Sequence, residues 1–88
     1  MTEAEMKLAL LRYNMLSKKK ATAAYMCKHT DTDKSILYGD EWSECTIEMR
    51  KMKDDLRKHG YEFAYTDSRT AGEVQYAVYK IVAIATAS

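Results

Sequence analysis

Several large classes of protein are excluded by what this sequence lacks. No run of apolar residues approaches the roughly 20 needed to cross a bilayer. The opening residues, Met1-Thr2-Glu3-Ala4-Glu5, are acidic and hold no uninterrupted apolar stretch, so no export signal is visible and a cytoplasmic protein is expected. Cysteine occurs twice, at Cys27 and Cys45, which makes no disulfide framework. Without export, both are expected to be reduced and packed as small hydrophobes. Three glycines are too scattered for a phosphate-cradling loop, and no nucleophile elbow is present. Cys27, His29, Cys45 and His59 are metal-ligand types, but no paired CxxC or HxxxH element joins them, so neither zinc nor any other cofactor is expected. Repeats and low-complexity segments are absent too. These absences leave a non-enzymatic protein as the expectation.

What is present fits one small globular domain spanning residues 1–88. The chain is 47% hydrophobic and 31% charged, a balance that does not suit disorder. At this length most of the apolar residues must serve a single core. Fourteen Lys and Arg against 13 Asp and Glu leave a net charge of +1, so the sum is uninformative and the distribution matters more. Lys18, Lys19 and Lys20 form one basic knot. Arg50, Lys51, Lys53, Arg57 and Lys58 form another, diluted by Asp54 and Asp55. Acids gather at Asp40, Glu41, Glu44 and Glu48.

Periodicity supplies the elements. Met6, Ala9, Leu10, Tyr13 and Leu16 predict a helix over about 3–16, and Leu8, Leu11 and Met15 widen its apolar arc enough to suggest a second copy as partner. Ser17 reads as a break, 22–29 as a short second helix, and Thr30-Asp31-Thr32-Asp33 as a turn. From Lys34 to Trp42 the pattern is ambiguous between strand and loop. Ser43 is a good N-cap for a third helix, with Glu44 in its first turn and Gly60 just past its end. Cys45, Met49, Met52, Leu56 and His59 make its buried seam. After Gly60 the period becomes two: Tyr61, Phe63 and Tyr65 alternate with polar or small residues, as do Val74, Tyr76 and Val78. That predicts a hairpin with a polar tip over 66–73, and 82–88 as either a strand extension or a frayed tail.

Three helices and a hairpin give an α+β fold in winged helix-turn-helix order. The run Met49-Arg50-Lys51-Met52-Lys53-Asp54-Asp55-Leu56-Arg57-Lys58-His59-Gly60-Tyr61-Glu62-Phe63, followed by Tyr76-Ala77-Val78-Tyr79-Lys80-Ile81, resembles the third helix and wing of small phage-type winged-helix DNA-binding proteins. The likeness covers roughly the C-terminal half. Upstream, about a dozen residues (Thr30 to Trp42) stand where that family has a short turn. The resemblance implies double-stranded DNA as partner, and a transcriptional regulator or a recombination or excision accessory factor of a phage or mobile element.

A groove-reading helix would present Thr46, Ile47, Arg50 and Lys51 to base edges, with Lys53, Asp54 and Arg57 further along. Arg50 suits guanine, and Ile47 suits a thymine methyl or a neighbouring loop. Arg69 at the hairpin tip takes the wing's role in the resemblance, and Lys18, Lys19 and Lys20 sit near the backbone. Against this stands the plain reading of solvated, dipole-compensating charges. Two other functions compete. One is a protein-binding winged helix that inhibits or adapts host machinery; the other is a single-strand binder using Tyr61, Phe63 and Tyr65 as a stacking face.

Overall fold

The computed structural model describes residues 1–85. Two long helices come first, α1 (Glu3–His29) and α2 (Thr32–Lys58), then two strands, β1 (Tyr61–Ala71) and β2 (Val74–Ala83). The expected three-helix order is therefore wrong, and with it the winged helix-turn-helix. The hairpin stands, but a two-helix hairpin carries it. Of the predicted tail, residues 82–83 continue β2, 84–85 follow it, and 86–88 lie outside the described residues.

Helix α1 starts on a capping box. The Glu5 amide donates to the Thr2 hydroxyl at 3.1 Å and the Thr2 amide to the Glu5 carboxylate at 3.2 Å, which satisfies two orphan donors. Those bonds hold the Glu5 carboxyl below its ordinary range. The helix does not break at Ser17, because that side chain is buried and its hydroxyl donates to the Ala77 carbonyl at 2.7 Å. A serine that ends a helix when solvated can continue one when a partner waits across the core. The lysines that follow are good helix formers and carry the helix on to His29.

The predicted turn shrinks to Thr30 and Asp31. The Thr30 hydroxyl donates to the Met26 carbonyl at 2.7 Å, and the Asp31 carboxylate accepts from the Lys34 amide at 3.3 Å as the α2 N-cap. Residues 34–42 are helical. Ser35 reaches across the bend to the Cys27 carbonyl at 3.0 Å, fastening the two helices where they diverge least. Ser43 is thus mid-helix and exposed rather than a cap. Further along, Arg12 pairs with Glu48 and Lys19 with Glu41 at 3.9 Å, so the helices run antiparallel. The seam expected on α2 holds at Cys45, Met49 and Leu56, which are buried; Met52 is half-buried and His59 is exposed. Gly60, at φ +85°, takes the left-handed turn that sends the chain into β1.

The strands pair antiparallel from Tyr61 opposite Ala83 to Ala71 opposite Val74, with a bulge at Thr66. Only Gly72 and Glu73 form the loop, so most of the predicted polar tip is strand. Gly72 has φ +63° while Glu73 keeps a negative φ, the pattern of a type II′ turn. Strand alternation places Phe63 and Tyr79 on the helix-facing side. Tyr13 of α1 stacks flat on Phe63 (centroids 3.8 Å, 5°) and meets the edge of Tyr79 (5.0 Å, 82°). This three-ring cluster joins helix and sheet layers. Tyr13 is 3% exposed, and with Ala23, Cys45, Met49 and Leu56 it makes the core.

The outer edge of β2 is closed by α1. Asn14 accepts from the Tyr79 amide at 2.8 Å and donates to the Tyr79 carbonyl at 3.1 Å, and Ser17 takes the Ala77 carbonyl. Further along, Tyr25 bonds Glu73, so β2 runs antiparallel along α1. The edge of β1 is exposed from Tyr65 to Thr70 but blunted. Its bulge, the Asp67 carboxylate accepting from the Ser68 amide at 2.8 Å, and the charge of Arg69 all oppose strand addition.

Candidate nucleic-acid interface

Helix α2 is electrically divided. Asp33, Asp40, Glu41, Glu44 and Glu48 precede Arg50, with Lys34 among them, whereas Arg50, Lys51, Lys53, Arg57 and Lys58 crowd the last turns with Asp54 and Asp55. Helical spacing sorts the second group further. Thr46, Arg50, Lys53 and Arg57 are four, three and four residues apart and therefore share one face. That face borders the hairpin, and between them runs a groove of about 350 Å³.

Its walls are Thr46, Met49, Arg50, Lys53, Asp54 and Arg57 from α2 with Lys20 from α1, and Tyr13 and Tyr79 reach it from the layer interface. Among the described residues, no carboxylate lies within 4.0 Å of the charged nitrogens of Lys20, Arg50, Lys53 or Arg57. Lys20 does make a cation–π contact, 5.0 Å from the centre of the Trp42 ring. Three cations in a row on the helix span about 10.5 Å of axis, comparable to roughly three phosphates of one strand at ~3.4 Å axial spacing. Asp54 is the single carboxylate in the lining. A smaller recess lined by Lys53, Arg57, Glu62 and Phe63 shares two of its cations with the groove.

The structure thus gathers six of the eleven sequence-predicted residues: Lys20, Thr46, Arg50, Lys53, Asp54 and Arg57. The other five lie apart. Lys51 lines a shallow depression with Arg12, Glu48, Met52, Asp54, Asp55 and Lys58, which shares Asp54 with the groove but neither Arg50 nor Arg57. Ile47 is 52% exposed and covered by no loop. Lys19 is engaged with Glu41, and Lys18 sits 5.6 Å from the Tyr76 ring centre. Arg69 is mid-strand, opposite Tyr76, and not at a hairpin tip. Alternation from Phe63 and Tyr79 puts it on the sheet face turned away from the helices.

Tyr13 and Tyr79 were not legible as groove residues. Tyr13 reads from sequence as one more member of an apolar stripe, and only the phenol, where leucine would pack as well, hints at a polar task. Burial pushes its hydroxyl pKa up to about 12, with the neighbouring Tyr79 adding to the effect. The thiol of Cys45 is likewise pushed up, chiefly by burial, while Lys19 opposes; it is a packed hydrophobe rather than a nucleophile. Of the predicted stacking face, Phe63 is occupied by Tyr13 and only Tyr65 is well exposed, at 60%. No helix is long and apolar enough to cross a membrane among the described residues.

Comparison with protein-family models, with curated proteins and with solved structures finds no match for this chain.

Proposed function

We propose that this protein binds double-stranded DNA through the groove between α2 and the hairpin, as a regulator or accessory factor with no chemistry of its own. The observation that carries the reading is the row Arg50, Lys53, Arg57, joined by Lys20, with no carboxylate paired to any of them. Unpaired cations along one face attract a polyanion because each neutralised phosphate releases condensed counterions. Most acids of α2 precede Arg50 and most of its bases follow, so the C-terminal part of the helix leads the approach to DNA.

Anisotropy of a labelled random-sequence duplex, titrated across salt concentrations, tests this. Four engaged cations predict a log–log slope of about −3.6. Arg50→Ala and Arg57→Ala should each make the slope shallower by about 0.9 and weaken binding alike on all sequences, whereas Lys51→Ala should change little. Absence of binding at low salt, or indifference to Arg50 and Arg57, refutes the assignment.

A protein partner is the second reading, and a different surface favours it. Near the helix–helix bend, Ile36 and Leu37 are 61% and 68% exposed, beside an apolar recess formed by Ala24, Cys27, Gly39 and Trp42. Lys28 lines the recess too, and exposed apolar residues beside it suit an amphipathic segment of another protein.

A further inference from the structure

We infer that the groove contains a discrete seat for one phosphodiester group, in which the Tyr13 hydroxyl is the fixed hydrogen-bond donor and Arg50, Lys53 and Arg57 supply the charge. This rests on the nucleic-acid reading of the same groove and sharpens it from a diffuse basic surface to a built site.

The hydroxyl is the unusual element. Tyr13 is 97% removed from solvent by the complement of its 3% exposure, and its ring is held flat against Phe63 and edge-on to Tyr79. Held that way, the phenol cannot rotate out to water as a surface tyrosine does. Its oxygen makes no hydrogen bond to any described residue, yet no fully enclosed side-chain polar atom is left without a partner. The oxygen therefore keeps an opening, and the space Tyr13 borders is the groove. A near-buried, unpartnered donor on a residue that lines a cationic recess suits an oxyanion.

Shape and charge narrow the ligand. About 350 Å³ admits a phosphate with part of its sugars but not a duplex, so one backbone strand enters while the rest of the helix stays outside. Guanidinium groups bond phosphate through paired N–H donors, and a phosphodiester has oxygens enough to serve Tyr13 and an arginine together. Asp54 decides between phosphate classes. A carboxylate in the lining penalises a dianionic phosphomonoester more than a monoanionic diester. The phenol also stays protonated at any physiological pH, so it remains a donor.

The test pairs Tyr13→Phe, which removes one oxygen and keeps the stacked ring, with duplex and inorganic phosphate as separate probes. Expected are an unchanged melting temperature, duplex affinity lower by about ten-fold, as for loss of one hydrogen bond to a charged group, and an unchanged salt slope because no charge is lost. In the unaltered protein, the NMR signals of the Tyr13 ring should shift on duplex addition and much less with inorganic phosphate. Equal duplex affinity for Tyr13→Phe and the parent overturns the seat while the groove reading survives. No duplex binding at low salt overturns the groove reading and the seat with it, and ring shifts as large with inorganic phosphate as with duplex overturn the diester seat alone. Should Tyr13→Phe fold poorly, the ring shifts of the parent decide alone: movement on duplex addition supports the seat and silence refutes it.

Discussion

Asn14 and Tyr79, 65 residues apart in sequence, exchange two hydrogen bonds: the Tyr79 amide donates to the Asn14 side-chain oxygen at 2.8 Å, and the Asn14 amide donates to the Tyr79 carbonyl at 3.1 Å. A helical side chain here does what a neighbouring strand would do. Asn14→Ala should leave both part-buried backbone groups without partners and destabilise the protein by about 2–4 kcal/mol. For a domain of this size that lowers the melting temperature by roughly 8–30 °C. Asn14→Asp can still accept but sets a carboxylate oxygen against the Tyr79 carbonyl, so it should destabilise the protein as well. Thermal unfolding followed by circular dichroism measures both.

Alkaline pH offers a check on the ring cluster. The Tyr13 phenol ionises near 10 when unfolded and at about 12 when folded, so between those values the folded state binds more protons. Its contribution to stability is full below pH 10 and is lost as pH rises towards 12. Denaturant midpoints should fall over that window for the parent, and fall less for Tyr13→Phe.

Asp54 is the one substitution expected to improve binding. Asp54→Asn removes the only carboxylate of the groove lining while keeping its shape. Duplex affinity should rise by about three- to ten-fold at low salt, an advantage that added salt erodes. A fall in affinity would mean that Asp54 orients a cation rather than opposing the ligand.

Gly72 should resist replacement. Its φ of +63° opens the two-residue loop, and any side chain there carries a left-handed penalty of about 1–2 kcal/mol. Gly72→Val should lower the melting temperature, whereas Gly39→Ala, mid-helix with open space around the new methyl group, should raise it by removing about 1 kcal/mol of helix penalty.

Leu8, Leu11 and Met15 of α1, three and four residues apart, are 67%, 59% and 63% exposed on one stripe. With an acidic first turn and lysines at its middle, the helix is charge-complementary to an antiparallel copy of itself, and we propose a homodimer on this stripe. Sedimentation should show a dimer that Leu11→Glu converts to monomer without lowering the helix content. A monomer at every accessible concentration removes the proposal.

Much of this was readable residue by residue. The change of period at Gly60 gave the hairpin, and the spacing of Cys45, Met49 and Leu56 gave the buried face of α2. Spacing also put Arg50, Lys53 and Arg57 together. Helix continuity was not readable, because Ser17 and Ser43 carry local signals for ends whose outcome depends on distant partners. Ser17 is rescued by Ala77, 60 residues away, and residues 34–42 by packing against the end of α1. Lys20 joins the groove only because α1 and α2 run antiparallel over their whole length, a fact hidden while α1 was divided at Ser17. The donor role of Tyr13 needed the third dimension altogether.

The polar and ring contacts along α1 act together to set the hairpin. Asn14 and Ser17 are about 4.5 Å apart along the helix, and their targets Tyr79 and Ala77 about 6.6 Å apart along the strand. Sliding the hairpin by one strand repeat would offer Ala77 to Asn14 and Gln75 to Ser17, but it would pull Phe63 and Tyr79 off the Tyr13 ring and Glu73 off Tyr25. The sheet is therefore indexed to one position on the helix pair, and the groove between Tyr79 and α2 has its width set before any ligand arrives. Binding then spends little on ordering the protein.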